Sequence, residues 1–267
     1  MQLTGQPLSL SEIADVALGH ATVEVASSSY ARIRDSRKII EEIVAQGGVV
    51  YGVSTGFGKL SDIHIATDEL RQLQLNLVRS HACGVGRPLS EPEARAMILR
   101  RANVLALGFS GIRLEVIELL VEMLNHSVHA VIPEKGSVGA SGDLAPLAHL
   151  ALTLIGEGEA IYQGERMSGA AALQEAGLKP ITLEAKEGLA LLNGTQGMHA
   201  VGGLALYRAK RLSRVADVAT VATPFTVPRA GLGSHPHKGT QDQGCRDEIG
   251  TLHAHTIPYL IVTLRLD

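Results

Sequence analysis

The apolar residues of this chain recur at helical spacing in one segment after another, and glycine-rich loops separate these segments. In residues 27–44 the large apolar side chains fall near one face of a helix: Ile33, Ile39, Ile40 and Val44. Aromatic residues make up only 3% of the sequence and tryptophan is absent, so the core has to be built from aliphatic side chains. Because such a core suits closely packed helices, the sequence predicts a mainly α-helical fold.

Capping signals and apolar spacing set the expected limits of the other elements. "EAIYQGERMSG" alternates around Gln163-Gly164 and predicts a β-hairpin. The remaining helices are expected over Leu10 to Ala17 with Ser11 as N-cap, Asp68 to Val78, Ser90 to Leu107 with a Ser90–Glu93 capping box, Arg113 to His126, Asp143 to Leu154 with Asp143 as cap, a short helix ending at Asn193-Gly194, and Thr195 to about Ala222.

Composition excludes several classes of function. The formal net charge of -3 is too small to indicate binding to nucleic acid or to a membrane surface. The sequence has no apolar run of the roughly 18 residues that a transmembrane helix requires, and its N-terminus lacks the basic region of a signal peptide. With only two cysteines, Cys83 and Cys245, we expect a protein of the reducing cytoplasm.

The stretch "GSVGASGDLAPLAHL", from Gly136 to Leu150, places three small residues before a helix. The ordinary interpretation is a tight turn followed by a helix cap. A serine nucleophile is a second interpretation, but Ser141 is not in the G-x-S-x-G elbow that follows an apolar strand.

A third interpretation makes the backbone of this stretch the reagent. Attack of the Gly142 amide nitrogen on the carbonyl of Ala140, with loss of water, closes a five-membered ring. Loss of the Ser141 hydroxyl then gives the ring an electrophilic exocyclic methylidene. Glycine leaves the tight bend unobstructed, serine provides the leaving hydroxyl, and the positive end of the helix beginning at Asp143 increases the electrophilicity.

Four segments, in the same order, resemble the histidine and aromatic amino-acid ammonia-lyases. They are "YGVSTGFG" (51–58), "LQLNLVRSHACGVG" (73–86), "GSVGASGDLAPLAH" (136–149) and "LALLNGTQ" (189–196). The resemblance covers roughly residues 1 to 220. It implies that Ala140, Ser141 and Gly142 mature into 4-methylideneimidazol-5-one (MIO), with no dissociable cofactor and no metal.

The resemblance also implies a role for each of the other motif residues. Tyr51 is the expected general base for the β-proton, Asn193 a hydrogen-bond donor to the substrate carboxylate or the ring, and Ser80-His81 the substrate-selecting pair. Without the motif, Tyr51 would be read as a packed loop residue, Asn193 as a helix N-cap and His81 as a structural histidine. Ser-His is the pair of the histidine-specific members, and an imidazole substrate needs a hydrogen-bonding partner.

These implications predict a domain organisation and a reaction. We expect an N-terminal MIO-bearing domain over 1–192, the start of a central helical bundle over 193–222 and a divergent tail over 223–267. The expected reaction is deamination of L-histidine to trans-urocanate and ammonia, in a homotetramer. A phenylalanine or tyrosine ammonia-lyase or aminomutase remains the alternative. Because the family's chains are longer and supply further site residues, a truncated, non-catalytic fragment is another.

The tail contains two H-x-H pairs that raise the possibility of a metal site. They are formed by His235, His237, His253 and His255. No acid or cysteine stands at a familiar ligand spacing, so we expect no metal. We interpret Cys83, beside the substrate-selecting pair, as a small packed residue rather than a nucleophile.

Overall fold

The computed structural model describes residues 1–61, 63–139 and 142–222. Within these ranges the chain is mainly α-helical, as the sequence predicts, with short strands between the helices. The helices are α1 Leu10–Ala17, α2 Ser27–Ala45, α3 Leu70–His81, α4 Glu91–Leu105, α5 Leu114–Asn125, α6 Leu144–Leu154, α7 Gly169–Glu175, α8 Glu187–Leu192 and α9 Gln196–Ala222.

The strands form three small sheets at the edges of the helical body. Strands β1 (Gln2–Leu3) and β2 (Glu24–Val25) pair in parallel, and β3 (Val85–Pro88) pairs antiparallel with β5 (Pro133–Lys135). The predicted hairpin is confirmed as β6 (Glu159–Tyr162) and β7 (Glu165–Ser168), and β4 (His129–Ala130) joins it on one side. Both turn residues have positive φ, 50° at Gln163 and 83° at Gly164, as a two-residue turn of type I′ requires.

Helix α4 lies at the centre of the fold, between α1, α5 and α9. The buried apolar side chains around it are all aliphatic or methionine, which confirms the prediction drawn from the scarcity of aromatic residues. Arg95, Arg100 and Arg101 of α4 are also buried. A buried guanidinium needs hydrogen-bond partners, so the positions of these arginines constrain what packs around α4.

Helix caps account for two differences from the sequence-based expectations. The Ser90–Glu93 capping box is present as predicted. Ser11 is not the cap of α1, because Ser9 forms a capping box with Glu12 and the helix begins one residue later, at Leu10. Asp143 precedes α6 but does not cap it through its side chain, which is engaged elsewhere.

The apolar faces of two helices differ from a simple core-facing stripe. In α2, Ile33 and Ile40 are buried, but Ile39 is 57% exposed, so its inclusion in the buried face was wrong. In α9, Ala200 and Leu204 pack into the core, whereas Leu212, Val215 and Val218 are mostly exposed. None of the helices in the described part of the chain is long and apolar enough to span a membrane.

Candidate active site

Gly52 packs the loop after α2 against α8, and this loop carries Tyr51. The Tyr51 side chain is 57% exposed and meets the Phe57 ring edge-on, with the ring centroids 6.2 Å apart. Gly52 has φ +73°, and a Cβ there would lie 2.5 Å from Leu189 Cδ2 of α8. A side chain at position 52 would adopt a strained backbone conformation and displace the Leu189 side chain, so glycine lets the Tyr51 loop lie directly against the helix that leads to Asn193.

The Ser80-His81 pair ends α3. His81 Nδ1 lies 2.9 Å from the Leu77 carbonyl, and Ser80 Oγ donates to the same carbonyl at 3.0 Å. Nδ1 also lies 3.1 Å from Ser80 Oγ, so it either donates to the Leu77 carbonyl or accepts from the Ser80 hydroxyl. The half-buried imidazole is therefore oriented by its own helix.

Gly142 meets the asparagine loop backbone to backbone. Its φ is +109°, and a Cβ at this position would lie 2.5 Å from the Gly194 carbonyl oxygen. The next residue, Asp143, donates its backbone N–H to that oxygen at 2.6 Å. Any side chain at position 142 would displace this contact, so the structure itself requires glycine after Ser141. Ala140 and Ser141 themselves lie outside the described residues.

Asp143 also ties this turn to the start of α9. Its carboxylate accepts from the backbone N–H of Met198 at 2.8 Å and from Ser137 Oγ at 2.6 Å. Gly197 leaves room for the carboxylate, because a Cβ there would stand 3.1 Å from Asp143 Cγ. The carboxylate thus satisfies an N–H in the first turn of α9, where the helix dipole favours a negative charge.

Two further contacts tie α3 to the same region. The fully buried Gln74 of α3 accepts from Leu189 N of α8 at 3.3 Å, and Gly188 allows the two helices to approach closely. Just after α3, Gly84 N donates to His149 Nε2 of α6 at 3.1 Å. Burial lowers the pKa of His149, which favours the neutral ring that this bond requires. All four sequence motifs therefore reach one region of the fold.

A buried carboxylate fixes the beginning of α8. Glu187 is fully buried and accepts four hydrogen bonds: from Arg113 N, Nε and Nη2, and from Glu184 N. Hydrogen bonding to Glu187 raises the pKa of Arg113. Arg37 Nη1 lies 3.8 Å away from the same carboxylate. This cluster holds α8, and hence the asparagine loop, against α2 and α5.

Asn193 is exposed at the end of α8, with its backbone extended at ψ 101°. It is not the N-cap of α9, because the first hydrogen bond of that helix runs from His199 N to the Thr195 carbonyl. The side chain of Asn193 is therefore left for other contacts.

Sequence reasoning missed the polar groups beneath this loop. Arg101 of α4 donates to Gln196 Oε1 at 2.8 Å and also to the Ala190 carbonyl. Both side chains are buried. A signal existed in each case: Arg101 is one of three arginines that the buried helix α4 carries among its apolar residues, and Gln196 closes the motif "LALLNGTQ".

Two other expectations concern Cys83 and metal binding. Cys83 is exposed, so the prediction that it is packed was wrong. Its loop follows α3 and leaves the thiol outside the core. Within the ranges 1–61, 63–139 and 142–222, no three histidine, cysteine or acidic side chains are grouped to hold a metal ion. The four tail histidines lie outside these ranges.

Comparison with known proteins is consistent with this geometry. The sequence model of the aromatic amino acid lyase family matches residues 8–226. A histidine ammonia-lyase of Myxococcus xanthus is 56% identical over 233 residues, which cover 87% of this chain and 45% of the relative. A second, from Alkaliphilus oremlandii, is 52% identical over 84% of this chain and 44% of the relative.

Solved structures give the same fold. Histidine ammonia-lyase from Trypanosoma cruzi matches 82% of this chain and 43% of its own length, with TM-score 0.77 and 42% identity. Tyrosine aminomutase from Streptomyces globisporus matches 82% of this chain and 41% of its own length, with TM-score 0.77 and 41% identity.

The fold and the converging motifs define a helical lyase domain. This chain belongs to the aromatic amino acid lyase family. It spans a little under half the length of the curated relatives it matches.

Proposed function

We propose that this chain carries the MIO-bearing part of a histidine ammonia-lyase, which converts L-histidine to trans-urocanate and ammonia. The observation that carries the proposal is the convergence of the Tyr51 loop, the Ser80-His81 helix end, Gly142 and the Asn193 loop on one region. The names of the most similar relatives support the same reaction.

The described residues fit the proposed prosthetic group. Gly142 places no side chain beside the amide that ring closure needs, and its φ of +109° strongly favours glycine. The group would be built from Ala140, Ser141 and Gly142, next to the positive N-terminal end of α6. When formed, it supplies an electrophile that makes the amino group of the substrate a better leaving group. The chain's own side chains then have to bind the substrate and move its proton.

Tyr51 is the proposed base for the β-proton. A phenol has an ordinary pKa near 10, so the working site has to stabilise its phenolate. In this chain the phenol ring of Tyr51 packs edge to face with Phe57, and Gly52 holds the loop that carries Tyr51 against α8. Asn193, exposed at the end of α8, is the proposed hydrogen-bond donor to the substrate carboxylate or to the prosthetic ring formed from residues 140–142.

His81 is the proposed selector for an imidazole substrate. In the tautomer that donates Nδ1–H to the Leu77 carbonyl, its Nε2 can accept a hydrogen bond from a substrate ring N–H. A phenyl ring would leave this acceptor unpaired, and sites built to hydrogen-bond a substrate penalise analogues that lack the donor. This favours histidine over phenylalanine. The alternative, a tyrosine or phenylalanine lyase or aminomutase, keeps support from the equal structural match to tyrosine aminomutase.

Assembly and location complete the proposal. We propose that the working enzyme is a homotetramer, supported by the exposed apolar side chains Leu212, Val215 and Val218, which recur at helical spacing on α9. A cytoplasmic location is supported by the low cysteine content. The competing hypothesis, a non-catalytic fragment, predicts an unmodified Ser141 and no defined oligomer in size-exclusion chromatography.

The experiment that tests the substrate compares three amino acids. The purified protein receives L-histidine, L-tyrosine or L-phenylalanine, and product formation is followed by absorbance. We expect urocanate from histidine and little product from the other two. The variant His81→Leu should lose at least about tenfold in kcat/KM for histidine, whereas His126→Leu, at the surface end of α5, should not. Release of cinnamate or coumarate without urocanate would contradict the assignment.

A further inference from the structure

Arg101 lies beneath the asparagine loop (Asn193–Gly194), and its buried guanidinium has no carboxylate as a counter-charge among the described residues. It is 2% exposed, and among the described residues no carboxylate forms an ion pair with it. Burial lowers its pKa to about 10, so the guanidinium remains charged at neutral pH. Its partners are the neutral oxygens of Gln196 and Ala190. Its Nε has no hydrogen-bond partner among the described residues, so the buried charge depends on these loop and helix-end acceptors and holds them in place.

The guanidinium also determines where the backbone of Gly194 lies relative to α4. A Cβ at Gly194 would collide with both Arg101 Nη1 and Gln196 Oε1, so the glycine backbone rests directly on this hydrogen-bonded pair. On the side of Gly194 that faces α6, its carbonyl oxygen accepts a hydrogen bond from Asp143 N at 2.6 Å. The same oxygen packs against Gly142. A continuous stack therefore runs from α4 through the loop to the turn that precedes α6.

We propose that Arg101 is a positioning residue that fixes the Asn193–Gly194 loop against the Gly142–Asp143 turn, and so sets the register of the two segments. Arg101 contacts neither the substrate nor the reacting atoms; it acts through Gln196, Ala190 and Gly194. The consequence for ring closure rests on the proposed function, but the positioning itself does not.

The same helix provides a matched control. Arg95 of α4 is also buried and also donates to two backbone carbonyls, those of Val16 and Leu124, away from the asparagine loop. Arg95→Met and Arg101→Met therefore remove the same kind of side chain from the same helix. A loss of stability is expected from both, but a local effect at Asp143 only from the second.

The first measurement is hydrogen exchange of the Asp143 amide in the 267-residue chain, expressed relative to the amide of the buried Ile33 in α2. The ratio removes effects of global destabilisation. We expect Arg101→Met to raise it about tenfold or more, because the acceptor Gly194 loses its support. Arg101→Lys should give an intermediate value, and Arg95→Met should leave the ratio unchanged.

The second measurement is the mass of the peptide that contains residues 140–142. Loss of two waters is expected in the parent chain and in Arg95→Met, and a lower extent of loss in Arg101→Met. If the parent peptide keeps both waters, the proposed function fails, while the exchange ratio still decides the role of Arg101. If Arg101→Met does not fold, Arg101→Lys and Gln196→Leu decide it. An Asp143 ratio that is unchanged in the folded Arg101 and Gln196 variants, or raised equally in Arg95→Met, overturns the proposal.

Discussion

Replacement of Glu187 by glutamine tests how strongly buried charge holds the asparagine loop in place. The Glu187 side chain is 0% exposed, and its two oxygens accept four hydrogen bonds, three from Arg113 and one from Glu184 N. In Glu187→Gln an amide NH2 replaces one of these oxygens and has to face N–H donors. The Arg113 guanidinium also loses its buried counter-charge.

The size of the effect follows from burial. Removing one partner of a buried ion pair costs about 3–5 kcal/mol, because it leaves the other charge uncompensated. The control is Glu41→Gln. Glu41 pairs with Arg37 at 3.0 Å, but its side chain is 58% exposed. An exposed pair of this kind contributes about 0–1 kcal/mol.

Urea unfolding followed by circular dichroism measures both variants. We expect Glu187→Gln to lower the free energy of unfolding by about 3–5 kcal/mol with an unchanged m-value, and Glu41→Gln to lower it by less than about 1 kcal/mol. Equal effects of the two substitutions, or a loss below about 1 kcal/mol for Glu187→Gln, would refute the assignment of the buried cluster as the anchor of α8.

Two further outcomes are expected. Gly142→Ala should prevent the loss of two waters in peptide mass mapping, because φ is +109° and the added Cβ would meet the Gly194 oxygen at 2.5 Å; Gly19→Ala, with φ +78° and open space around it, is the control. Burial lowers the pKa of His129 to about 4 despite the Glu91 carboxylate at 2.9 Å, which is largely exposed and screened. The unfolded chain therefore binds the proton first, and stability should fall by up to about 3 kcal/mol as the pH drops from about 6.5 towards 4. Urea midpoints should show this loss, and His129→Gln should flatten it.

The fold was predictable where a local signal determines it. The Ser90–Glu93 capping box and the Gln163-Gly164 turn each depend on residues close in sequence, and the structure has both. The cap of α1 was misassigned because Ser9 and Ser11 are equally good caps, and the reach of Glu12 back to Ser9 decides between them. The exposure of Ile39 depends on which elements pack on α2, and periodicity does not contain that information.

The candidate site was predictable only in its motifs. The resemblance of the motifs to a known family singled out Tyr51, His81 and Asn193, and residue type pointed to Gly142, but neither indicated what supports these residues. The contact between Gly142 and Gly194 joins segments about fifty residues apart in sequence. Buried polar groups such as Arg101 and Glu187 are visible in the sequence only as charges in apolar surroundings. Their partners are backbone groups, which any sequence supplies, and side chains about 75–95 residues away, Arg113 for Glu187 and Gln196 for Arg101, so no local pattern identifies them.

The most direct measurement for the central claim is the mass of the purified chain, followed by mapping of the peptide that contains Ala140, Ser141 and Gly142. The account predicts the loss of two waters within this peptide, since Gly142, at φ +109°, makes the bend without a side chain to obstruct it. An unmodified mass, with Ser141 intact, would contradict the claim that this chain forms its own electrophile.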